Sequence, residues 1–156
     1  MPLQIAMEPE KKPPFRLTRV AIAATLAQLI PLIVLVATIT VYSYLIAPNL
    51  DKEVYEEFAT RIAKPIGWIA GTLATLAMAF WAARKAHNRQ VIYGVATGVL
   101  VVLLDIISQT TANKPFDLID ILVLVAKLMA GTLGGYLAWQ RYRNLPAEKR
   151  HTHRLI

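Results

Sequence analysis

The chain has 156 residues, 56% of them hydrophobic and 17% charged, with a mean hydropathy of +0.45. A composition this apolar excludes an ordinary soluble domain, and the length suits a single domain, 1–156. The absence of cysteine excludes disulfides, thiolate metal sites and cysteine nucleophiles, and the formal net charge of +7 sits in tails and loops beside the apolar runs, where anionic lipid headgroups are the expected partner and nucleic acid is not.

Residues 1–17 form a basic tail. The first apolar run, about 18–47, is longer than the about 20 residues a helix needs to cross a bilayer, so it must tilt, bend or protrude. Pro31, near its middle, removes a helix hydrogen bond and predicts a bend there. The bases ahead of this run also suit a cleaved leader, but the run is too long for one and no convincing small-residue cleavage site is found. Over 51–63, Val54, Tyr55, Phe58 and Ile62 recur at helical spacing opposite Glu53, Glu56, Glu57 and Arg61. That pattern predicts a short interfacial amphipathic helix, with a solvated loop as the alternative. A second span, about 66–83, follows Lys64 and Pro65, with the proline placed in a first helical turn. The third is expected at about 91–111 and the fourth at about 118–139, followed by a second basic tail, 140–156. The expected fold class is therefore an all-α integral membrane protein: four transmembrane helices as two antiparallel hairpins, plus a short amphipathic helix between helices 1 and 2.

Lys and Arg accumulate on the cytoplasmic side of short membrane loops. Twelve bases fall in the two tails, at Arg19 where the first run begins, and in the loop holding Arg84, Lys85 and Arg89, against four (Lys52, Arg61, Lys64, Lys114) in the other two connections. This places both termini in the cytoplasm of a multi-pass protein of the cell or inner membrane.

Helices in lipid gain little from hydrophobic association and pack where small residues let backbones approach. Span one offers Ala21, Ala24, Thr25 and Gln28, span two Gly67 and Gly71, and span three Gly94 and Gly98, followed by Asp105, Ser108 and Gln109. In span four Asp120, Lys127, Gly131 and Gly135 share one face. The expected helix-packing residues are thus Gly67, Gly71, Gly94, Gly98, Gly131 and Gly135. At about 1.5 Å per residue, Asp105 lies about 21 Å from the start of span three and Lys127 about 18 Å from the end of span four, so the two can meet. Asp120, two turns nearer the outer surface, is a candidate second partner for Lys127. This Asp105, Lys127 and Asp120 cluster reads either as a structural ion pair or as a proton or ion relay.

The tetrapeptide Ala70-Gly71-Thr72-Leu73 returns as Ala130-Gly131-Thr132-Leu133, which suggests either related hairpins or the small alphabet of membrane sequence. No phosphate loop, dinucleotide fingerprint or zinc-protease motif occurs, so no cofactor or metal is expected. His151 and His153 in the tail make an ordinary pair rather than a ligand set. An enzyme is not expected. The leading expectation is an accessory or structural subunit of a membrane assembly, partnered by other membrane subunits or by itself. The alternatives are a small oligomeric transporter or channel using the Asp/Lys pair, and an anionic-lipid-binding membrane protein.

Overall fold

Backbone amides in an apolar run find no water in hydrocarbon, so such runs close their hydrogen bonds within the segment. The computed structural model describes residues 17–48, 51–86, 89–113 and 115–144, and among these every regular element is helical. Helix α1, Leu17–Val41, runs into a π-helical turn, Tyr42–Ile46. Helices α2, Lys52–Ala83, α3, Gln90–Thr111, and α4, Leu118–Arg143, complete the chain. All four are long and apolar enough to cross a membrane. The tail residues Lys11, Lys12, Arg16, Lys149, Arg150, Arg154, His151 and His153, with His87 and Lys114, lie outside the described residues.

The helix ends follow local chemistry. Asp117 caps α4 by accepting from the Leu118 amide at 2.7 Å, and its own amide donates to Asp120 Oδ2 at 3.2 Å, a reciprocal capping box. Asn113, with φ of 50°, occupies the left-handed conformation just past α3, where asparagine is among the few tolerated side chains.

Two expectations about shape are corrected. The amphipathic stretch 51–63 is not a separate helix: α2 starts at Lys52 and passes through Pro65 without a break. Proline leaves the carbonyl four residues back, at Arg61, without its amide partner. That residue is exposed, so water can take the amide's place. At about 1.5 Å per residue, 32 residues give a helix of about 48 Å, well beyond the about 30 Å of a hydrocarbon core. The stretch is held to the end of α1 by its apolar face: Tyr42 stacks on Phe58 with centroids 3.8 Å apart, and the Tyr55 hydroxyl donates to the Ala47 carbonyl at 2.6 Å. Likewise α1 remains helical through Pro31, and its irregularity falls at the π turn eleven residues later.

The core is built from small side chains while the large ones face out. Ala23, Ala24, Ala79, Ala82 and Ala83 are completely buried, whereas Leu73, Leu122, Val125 and Met129 are about half exposed or more. Glycine sets the closest approach. A Cβ on Gly94 would lie 2.5 Å from the Gly135 Cα, and one on Gly131 would lie 2.6 Å from the Gly98 Cα. Residue numbers rise along α3 as they fall along α4, so these helices run in opposite directions. On α2, Leu76 and Ala79 meet Gly134 and Gly71 meets Lys127, so α2 and α4 run the same way. Ala24 and Ala27 of α1 join Ala74 of α2 and Val101 of α3 in one buried cluster. Buried Thr75 and Thr97 spend their hydroxyls on the Gly71 and Tyr93 carbonyls one turn back, so neither leaves a donor unmet.

Gly67, expected at a packing face, has no atom within 4 Å of where its Cβ would be, because it borders a cavity. Ala21 and Thr25 are exposed, and only Ala24 and Gln28 of the α1 stripe point inward.

Gly131→Ala is therefore expected to lower stability by about 1–3 kcal/mol through overpacking, while Gly67→Ala changes it by less than about 0.5 kcal/mol. Thermal unfolding of the detergent-solubilised protein checks both, and similar losses at the two positions would contradict the packing described.

Candidate functional site

An ionised side chain deep in a helical bundle needs a partner, and here three helices supply one cluster. Lys127 Nζ of α4 donates to Asp105 Oδ2 of α3 at 2.7 Å. Gln28 Nε2 of α1 donates to the other carboxylate oxygen, Oδ1, at 2.8 Å, and lies 3.3 Å from the Val101 carbonyl. The charged side chains are 9% and 15% exposed, respectively, so both are largely withdrawn from water. The fourth helix contributes space. A Cβ on Gly71 of α2 would lie 3.1 Å from Lys127 Cε, so glycine there makes room for the lysine stem.

The register explains why these side chains meet. Asp105 follows Gly98 by seven residues on α3, and Lys127 precedes Gly131 by four on α4; the glycine contact thus carries the two charges to the same level. Asp120 does not join them. Its carboxylate accepts from the Asp117 amide in the capping box two turns away, because a residue three positions into a helix reaches its own cap more readily than a distant ammonium. The repeated tetrapeptide also carries two different contacts, since Gly71 faces the Lys127 side chain and Gly131 faces the Gly98 backbone.

Beside the cluster lies a cavity of about 720 Å³. Its floor is Gln28, Asp105 and Lys127, and its walls and mouth include Lys64, Gly67 and Trp68 of α2 and Phe116, Asp117 and Asp120. Gln109, one turn beyond Asp105, also lines it, and its buried Oε1 accepts no hydrogen bond from the described residues. Ser108, predicted beside it, is exposed. Lys64 Nζ sits 5.7 Å from the Trp68 ring centroid at the cavity wall. At the opposite end of the bundle Arg19 stands 5.2 Å over Trp81 and Arg143 4.8 Å over Trp139.

Chemically the cluster is an ammonium held by a carboxylate whose two oxygens are both engaged, an arrangement suited to fixing helices or to exchanging protons and ions. Among the described residues no group of three His, Cys, Asp or Glu side chains could hold a metal ion. Comparison of the chain with protein-family models, curated proteins and solved structures finds no match to any of the three.

Sequence reasoning missed Gln28 as the third partner of the pair and Gly134 as the contact of α4 with α2. Gln28 was detectable as the lone carboxamide in the first span. Gly134 belongs to a second small-residue face with Ala130 and Ala138, four residues apart on either side, which the 131/135 face obscured.

Lys127→Met is expected to cost about 3–5 kcal/mol by leaving Asp105 unpaired, and adding Asp105→Leu should recover most of that loss. Gln28→Ala is expected to cost about 1.5–3 kcal/mol, the range for a hydrogen bond to a charged group. Equilibrium unfolding of the single and double variants checks these values. A double variant as unstable as Lys127→Met would show that the pair is not what Lys127 supports.

Proposed function

We propose that this chain is a four-span integral membrane protein, arranged as two antiparallel hairpins with both termini in the cytoplasm, that serves without catalysis as a subunit of a larger membrane assembly or of its own oligomer. What carries the reading is the uncovered surface: between 22% and 33% of the most apolar stretch of each long helix is buried inside the chain. Lipid or other helices must cover the rest. The helix with the least burial, α1, also exposes Ala21 and Thr25 one turn apart, small residues that admit a neighbouring helix. The Asp105–Lys127 pair, held from α1 by Gln28, serves in this reading to fix the register of the bundle. Anionic headgroups are the lipid partners, drawn to exposed bases such as Arg84 and Lys85. Native mass spectrometry of the tagged protein, extracted from its own membrane in mild detergent, is expected to show further chains or copies at fixed stoichiometry. A bare monomer would remove this reading.

One observation favours a second reading, a small transporter or channel: both members of the ion pair border the cavity. In proteoliposomes that reading expects a proton or cation flux which Asp105→Asn abolishes while leaving the fold intact. Loss of folding and flux together would return the pair to a structural role.

A further inference from the structure

We propose that the cavity is a water-filled vestibule through which small cations reach the Asp105–Lys127 pair from one side of the membrane only. The inference rests on the four-span reading above.

Three observations carry it. The first is polarity with room: a cavity of about 720 Å³ holds on the order of tens of waters at about 30 Å³ each, and it is bordered by Asp105, Lys127 and the two glutamines. Gln109 Oε1 and, at the other end of the bundle, Gln90 Oε1 are buried with no donor among the described residues; Gln109 borders the cavity, where water would satisfy it. The second is one-sidedness. Beyond the pair, toward the end that carries Arg84 and Lys85, Thr75 and Thr97 are completely buried and Val101 is 1% exposed. The backbones of α3 and α4 are pressed together there at Gly98 and Gly131, and again at Gly94 and Gly135, which leaves no passage between them. The third is sign. Among the described residues of the lining, three carboxylates, Asp105, Asp117 and Asp120, face two ammonium groups, Lys64 and Lys127. A surplus negative charge between low-dielectric walls concentrates cations and repels anions.

Gly67 gives direct access to a test. Its Cβ position is open and borders the cavity, so a cysteine Cβ meets no atom within 4 Å there. Leu122 is 60% exposed on the outer surface of α4 and lies at nearly the same level, so it reports the lipid-facing side. The chain has no native thiol to remove. Gly67→Cys, Leu122→Cys and Arg84→Cys, each as the only cysteine, are reconstituted into sealed phosphatidylcholine vesicles and treated from outside with membrane-impermeant methanethiosulfonates, one cationic and one anionic. Val123→Cys, also in the lining, serves as a second vestibule position should Gly67→Cys fail to fold.

The expected result is that Gly67→Cys reacts about tenfold or more faster than Leu122→Cys, because the reactive thiolate needs water. The cationic reagent should lead the anionic one by about tenfold after correction for their rates on free cysteine. The vesicle populations labelled at Gly67→Cys and at Arg84→Cys should be complementary, since the two sites open to opposite sides. Equal, slow labelling at Gly67→Cys and Leu122→Cys would overturn the vestibule while leaving the spans standing. Equal, fast labelling at both would overturn the membrane reading itself. Labelling of Gly67→Cys and Arg84→Cys in the same population would overturn one-sided access, and equal corrected rates for the two reagents would overturn the preference for cations.

Discussion

Asp105 has two carboxylate oxygens, and each takes its donor from a different helix, one from Lys127 on α4 and one from Gln28 on α1. The lysine in turn needs the missing side chain of Gly71 on α2 to lie where it does. All four helices therefore converge on one carboxylate. A rotation of α1, α3 or α4 by one residue, about 100°, would strand a charge or a carboxamide in an apolar setting, where an unmet polar group costs several kcal/mol, and a rotation of α2 would replace Gly71 with a larger side chain against the lysine stem. The glycine contacts between α3 and α4 and the polar cluster therefore fix the register together.

The distribution of side-chain size serves the same end. In water, large apolar side chains gather inside because burial removes them from solvent. Here most large aliphatic side chains look outward and the core is mainly Ala and Gly, with Thr75, Thr97, Val20 and Val101 among them, so the gain comes from close backbone approach and from hydroxyls folded back onto their own helix. The same closeness that unites α3 and α4 at Gly94 and Gly98 is absent where α2 passes Gly67, and the cavity occupies that gap. Tight and open halves of the bundle thus follow from where glycine meets glycine and where it meets nothing.

Much of this was legible in the amino-acid sequence, for reasons that differ by feature. The four long apolar helices were visible because apolar runs of that length have few other solutions. The meeting of Asp105 with Lys127 could be anticipated because depth along a helix is counted at a fixed rise, and the glycines on the same faces fix which way the charges point. Asp120 was misplaced because counting depth ignores competition: a carboxylate in the first turn is claimed by its own helix cap before any distant lysine. The break expected at Lys64 and Pro65 did not occur because a proline's lost hydrogen bond matters little where the orphaned carbonyl, at Arg61, can be hydrated. Gly67 shows that a small residue at the right spacing is only permission for contact; whether a neighbour arrives depends on the three-dimensional course of the other helices.

Charge placement also has a consequence for biogenesis. Asp and Lys at the middle of a span each raise the cost of entering a bilayer alone by about 2.5–3.5 kcal/mol. Asp105 lies on α3 and Lys127 on α4, with only the short connection 112–117 between the two helices. As a joined pair they bring no net charge into the hydrocarbon, so in the four-span reading α3 and α4 enter most cheaply together, with the carboxylate already satisfied on one side. Gln28, borne by an earlier and uncharged stretch of α1, can be in place beforehand to receive it. The order of the chain, neutral partner first and opposite charges last and adjacent, is then also an order of insertion.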